Sequence, residues 1–185
     1  MFIQTEETPN PTTLKFLPNR SVMDNGTANF DSSKEAERSP LASKLFDIEG
    51  VSGVFFGKDF ISVSKNNEKE WYVLKPAILG TLMEHLITNQ PIITEDTKES
   101  KSGPGTARDD GPIVKQIKEI IETQVKPAVA MDGGDISFER FEDGIVHVRM
   151  HGACSGCPSS TATLKSGLEN MLQHYIPEVK EVVSI

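Results

Sequence analysis

Cysteine is nearly missing from this chain: its 185 residues carry two, Cys154 and Cys157, in a single C-x-x-C. A pair so close together cannot staple a chain of this length, which excludes a disulfide scaffold. Metal or redox chemistry in a reducing compartment becomes the leading reading of the two thiols. Long apolar runs are missing as well. Stretches such as Val54-Phe55-Phe56 and Val182-Val183 fall far below the ~20 residues of a membrane helix, so a soluble protein is expected. Basic residues are the minority, 19 against 27 acidic ones for a net charge of −8. That balance argues against a phosphate-neutralising surface, and so against nucleic acid as a partner. The opening MFIQTEETPNP has no basic start and no apolar signal core, and its glutamates do not suit an organellar presequence. The expected setting is a bacterial cytoplasm, or the mitochondrial matrix if the chain is a processed eukaryotic one.

What is present divides into two small domains. Hydrophobic residues make up 37% of the chain, and counting glycine in place of tyrosine brings the share to about 43%, just under the usual globular range. Residues 94–111, TEDTKESKSGPGTARDDG, hold no aromatic and no large aliphatic residue around a central Gly-Pro-Gly. They read as a flexible linker between a domain at 1–93 and another at 112–185.

In the first domain, residues 2–8 and 12–17 form an expected hairpin across Pro9 and Pro11, with Leu14 and Phe16 alternating with polar neighbours. Residues 19–38 lack periodicity and read as a long loop or irregular edge. Ser39 caps a short helix over 41–46 with Pro40 at its first position. A second hairpin follows, 51–57 and 60–64. Trp71, Leu74, Ile78, Leu82, His85 and Leu86 recur at helical spacing over 68–88, predicting an amphipathic helix kinked at Pro76. The domain is a small α+β unit without ligand clusters or phosphate loops. His85 reads as a residue on or beside the buried helix face, and an interaction role is expected of this domain rather than chemistry.

In the second domain, Asp109 or Asp110 caps a helix that opens at Pro112, carries Ile113, Ile117, Ile120, Ile121 and Gln124 on one face, and stops before Pro127. Asp132-Gly133-Gly134-Asp135 breaks the chain in a tight turn that needs glycine freedom. Strands over 136–141 and 145–150 meet at Asp143-Gly144, a strong hairpin signal. A helix over 158–175 buries Leu164, Leu168, Met171, Leu172 and Tyr175, and a third strand lies in 179–185. The order is α-β-β-α-β, an α+β fold with the C-x-x-C at a helix N-terminus.

At that helix end, unpaired amides and the helix dipole favour thiolate over thiol. Ser155, Gly156, Gly152 and Ala153 keep bulk away, leaving backbone N–H groups for a bulky anionic guest. Spacing alone leaves several guests open: zinc, a redox dithiol or an iron–sulfur cluster. Clusters and structural zinc take four ligands, and one chain supplies two cysteines. A twofold dimer would complete the set. His147 reads as a solvated or hairpin-paired strand residue, and His151 as a minor ligand candidate. A thioredoxin-like fold has little room, because a helix and hairpin rather than a βαβ unit precede the pair.

The segment MDGGDISFERFEDGIVHVRMHGACSGCPSSTATLKSGLENMLQHYIPEV resembles the NifU C-terminal domain. MFIQTEETPNPTTLKFLP, SPLASKLFDIEGVSGVFFGKDFISVSK and EWYVLKP resemble the N-terminal domain of Nfu proteins. The resemblance implies a homodimeric scaffold or carrier, not an enzyme. It would hold a [4Fe–4S] cluster, with [2Fe–2S] as second choice, between two chains through Cys154 and Cys157. Such a protein takes clusters from upstream donors and delivers them to apo iron–sulfur proteins. Relatives often carry glutamine where this chain has His151, which leaves room for a tuning role. Outside the resemblance, a C-x-x-C oxidoreductase and a zinc-bridged structural adaptor are the competing functions.

Overall fold

A computed structural model describes residues 2–94, 111–155 and 158–185. The chain separates into two compact units, Met1–Ser100 and Lys101–Ile185. The linker residues 95–110, with Asp109 and Asp110, lie outside the described residues.

The first unit is a five-stranded antiparallel sheet in the order β1-β2-β5-β4-β3. Its strands are β1 (Gln4–Glu7), β2 (Thr13–Leu17), β3 (Ala28–Phe30), β4 (Val51–Phe56) and β5 (Ile61–Lys65), and its helices are α1 (Ser33–Ala36), α2 (Pro40–Phe46) and α3 (Trp71–Ile87). The irregular stretch 19–38 thus contributes an edge strand and one short helix. Ser39 caps α2 as expected, its hydroxyl accepting from the Ala42 amide, with Pro40 in the first turn. One hydrophobic core joins Phe16, Phe30, Phe56 and Ile61 of the sheet to Leu41, Leu45, Ile78 and Leu82 of the helices. Each such side chain contributes roughly 1.5–3 kcal/mol by burial. The alternation expected of β2 is not observed, because Thr13 and Lys15 are buried along with Leu14 and Phe16. Polar partners make that tolerable. Thr13 shares a 2.7 Å hydrogen bond with the Ser64 hydroxyl, and Lys15 pairs with Glu6 at 3.6 Å while lying over the Phe60 ring. Pro76 stands inside α3, where it removes one helical hydrogen bond. After the helix the chain is tied back: Ser39 Oγ donates to the Ile92 carbonyl, and the Thr94 amide to Arg38 O at 3.2 Å.

The second unit has the expected order, with three strands β6 (Gly134–Glu142), β7 (Ile145–Gly152) and β8 (Glu181–Ser184) in the order β6-β7-β8. β6 and β7 form an antiparallel hairpin; β8 lies parallel to β7 after the crossover helix α6 (Pro158–Tyr175). The hairpin turns at Asp143 (φ +52) and Gly144 (φ +84), the paired positive angles of a type I′ turn.

Three expectations are corrected here. The cap of α4 (Pro112–Ile120) is Gly111, with no side-chain hydrogen bond. The helix also does not stop before Pro127: it passes through a π turn, Ile121–Val125, into α5 (Lys126–Met131). The Lys126 amide reaches back to Ile121 O, and this widened turn lets the proline follow without clashing with the preceding carbonyls. Ile117, Ile121, Val125 and Val129 keep one buried stripe throughout. Finally, Tyr175 is 49% exposed. The Ile176 amide bonds Leu172 O at 2.7 Å, and this closing turn carries Ile176, not Tyr175, into the core.

Candidate functional site

Strand β7 ends at Gly152 (φ +64), and the next residues turn under the start of β6. The Ala153 amide donates to Gly133 O at 3.2 Å and the Ser155 amide to Gly152 O at 3.0 Å. Two of the amides expected to face a guest are therefore engaged with the protein's own backbone. Thr161, in the first turns of α6, donates its hydroxyl to Cys154 O at 3.2 Å.

Cys154 is 4% exposed and belongs to the hydrophobic core of its unit. The reason lies in Gly134, the residue paired with Gly152. A Cβ built on Gly134 would stand 2.5 Å from Cys154 Sγ, 2.8 Å from His151 O and 3.0 Å from Cys154 N. The absent side chain is the space the thiol occupies. The two glycines of the expected turn do different work. Gly133, at φ +80, makes the turn, and Gly134 admits the sulfur. No local signal marks that contact, because the residues are twenty apart. Thr161 was missed because its bond joins a side chain to a backbone carbonyl seven residues earlier, which no helix or turn pattern marks.

Cys157 and Gly156 lie outside the described residues. His151 is half-buried, its Nε2 3.3 Å from the Ser137 hydroxyl across the hairpin. His147 lies in the middle of β7, opposite Arg140 and Val183, its Nδ1 buried without a hydrogen-bond partner among the described residues. Asp135 is buried and accepts the Ile136 amide at 2.8 Å. His85 is fully buried on α3, its Nε2 3.2 Å from Pro91 O. Among the described residues, no three His, Cys, Asp or Glu side chains come together as a metal site, and no helix is long and apolar enough to cross a membrane.

Residues 3–89 match the family described as "Scaffold protein Nfu/NifU N terminal", and residues 117–183 match the "NifU-like domain". The human "NFU1 iron-sulfur cluster scaffold homolog, mitochondrial" is 48% identical over 186 residues, spanning 100% of this chain and 72% of the human protein. The chain belongs to the Nfu family. Another Nfu relative, "NifU-like protein 4, mitochondrial" of Arabidopsis thaliana, is 48% identical over 98% of this chain, which spans 65% of that protein. The solution NMR structure of a NifU-like protein from Saccharomyces cerevisiae is 26% identical, with a TM-score of 0.47, over 52% of this chain and 87% of the yeast one. Both Nfu units contain the α+β elements described above.

Proposed function

We propose that this Nfu protein is an iron–sulfur cluster scaffold and carrier, which holds a [4Fe–4S] cluster between two chains through Cys154 and Cys157 and passes it to apo-proteins. The observation that carries the reading is the whole-length likeness to a relative named as an iron–sulfur cluster scaffold homolog, together with the placing of Cys154 on the turn from β7 toward α6. Ligand arithmetic supports the dimer. A cluster takes four protein ligands and one chain has two cysteines.

The cluster is cargo here. It must be stable enough to carry and loose enough to leave, and a thiolate site shared across a small interface meets both needs, because a recipient cysteine can replace one ligand at a time. The scaffold names of the relatives support binding and delivery rather than turnover. Residues 1–93 serve as the target-docking domain, residues 94–111 as the linker, and residues 112–185 as the cluster domain. The relatives' names favour the mitochondrial setting over the bacterial cytoplasm.

Anaerobic reconstitution of the full chain with iron and sulfide tests this. The expected result is a brown dimer with about two iron and two sulfide per chain. A [2Fe–2S] dimer would hold about one of each per chain. A colourless zinc dimer, disulfide reduction without metal, or a monomer holding a complete cluster would each overturn the reading.

A further inference from the structure

The thiol that the proposed function needs is withdrawn from solvent. Cys154 is 4% exposed, with its sulfur in the space beside Gly134. A sulfur that bonds a cluster must face a guest several ångström across and, in a shared site, a second chain. One arrangement cannot satisfy both conditions, so the segment carrying Cys154 needs a second one. Among the contacts that hold the buried form are Ala153 N–H to Gly133 O, Ser155 N–H to Gly152 O, and the Thr161 hydroxyl to Cys154 O. The first two are backbone bonds available to almost any sequence. The third depends on a side chain, and it joins the segment to α6 on the far side of Cys157.

We propose that residues 152–155 form a closed shutter over the Cys154 thiol, that Thr161 is the positioning residue that clasps it, and that an incoming iron–sulfur cluster binds the open form alone. The proposal rests on the scaffold reading above. Gly152, at φ +64, stands where the segment would pivot. Because the guest meets the open form alone, its uptake is reduced by the fraction of time the shutter is closed. Loss of one neutral hydrogen bond raises the open population about fivefold.

The test uses the full chain with Cys157→Ser, so that Cys154 is its one thiol. At neutral pH, N-ethylmaleimide is expected to modify it at least ~100-fold more slowly than in denaturant, as a buried group requires. Adding Thr161→Val should speed the native reaction about fivefold, and Thr161→Ser should keep the parent rate. A native rate close to the denatured one overturns the proposal. Amide exchange at Ala153 reads the same opening without thiol chemistry. It should accelerate with Thr161→Val and not with Thr161→Ser, while exchange at Val146 in the strand interior stays constant. Equal acceleration at both amides would make the clasp part of global stability and overturn the shutter. In the chain with both cysteines, Thr161→Val should load cluster about fivefold faster to the same final iron content, and an unchanged rate overturns the gating role. A chain that passes the alkylation and exchange tests yet takes up no cluster overturns the scaffold reading, and with it the gating of uptake.

Discussion

His85 Nε2 lies 3.2 Å from the carbonyl oxygen of Pro91, while Nδ1 of the same ring is buried without a hydrogen-bond partner among the described residues. A carbonyl only accepts, so the proton belongs on Nε2 and the ring is neutral. Protonating Nδ1 would bury a charge and leave its donor unmatched. Burial chiefly holds this histidine below its ordinary value of 6.5; Lys44 adds to the lowering, and the Pro91 and Gln90 backbone and Glu84 oppose it.

The sign of the pH effect follows. The unfolded chain binds this proton more readily than the folded one, so the stability contributed by neutral His85 is complete above pH 6.5 and is lost as pH falls below it. Trp71, the one tryptophan, reports unfolding of the first unit. Its urea midpoint should drop between pH 7.5 and pH 5, and His85→Gln should remove a large part of that drop. Equal acid sensitivity in the two proteins would rule the assignment out.

Gly134→Ala places a methyl group 2.5 Å from Cys154 Sγ and 2.8 Å from His151 O. Overpacking of this kind costs about 1–3 kcal/mol, and the thiol has to move. Chemical denaturation followed at the second unit should show the loss, with faster Cys154 alkylation. Unchanged stability together with an unchanged thiol would contradict the contact.

The two cysteines should separate in their effect on folding while agreeing in their effect on cargo. Cys154→Ser sets a hydroxyl in an apolar site and should lower the stability of its unit by about 1–3 kcal/mol, leaving it folded by circular dichroism. Either Cys154→Ser or Cys157→Ser should abolish bound iron and sulfide after anaerobic reconstitution. Retention of the full complement by either variant would remove that cysteine from the ligand set.

Gly144 turns the β6–β7 hairpin at φ +84, and a Cβ there would also meet Lys180 Cγ and Cδ at 2.9 Å and Glu178 O at 3.0 Å. Its carbonyl accepts the Lys180 amide at 2.7 Å. Gly144→Ala combines left-handed strain of about 1–2 kcal/mol with a clash against the segment leading into β8. It should destabilise the second unit by more than the strain alone, while Gly167→Ala, within α6 and with open space around it, should not. Similar losses in both variants would argue against the packing.

The sequence by itself determined the features whose signal and effect lie within a few residues. The Ser39 cap with Pro40 behind it, the Asp143-Gly144 turn, and the 3.6-residue period of α3 each act through backbone hydrogen bonds or dihedral limits set by immediate neighbours. The C-x-x-C marked the candidate site, because spacing and composition are also local. Tertiary structure decided what depends on residues far apart in the chain. Pro127 stays inside a helix because the π turn before it keeps Ile121 and Val125 against the core. Lys15 is buried because Glu6 and Phe60 receive its charge. Cys154 is hidden because Gly134, twenty residues earlier, leaves it room. Close packing gives each of these side chains its role only after the chain has brought its partners together.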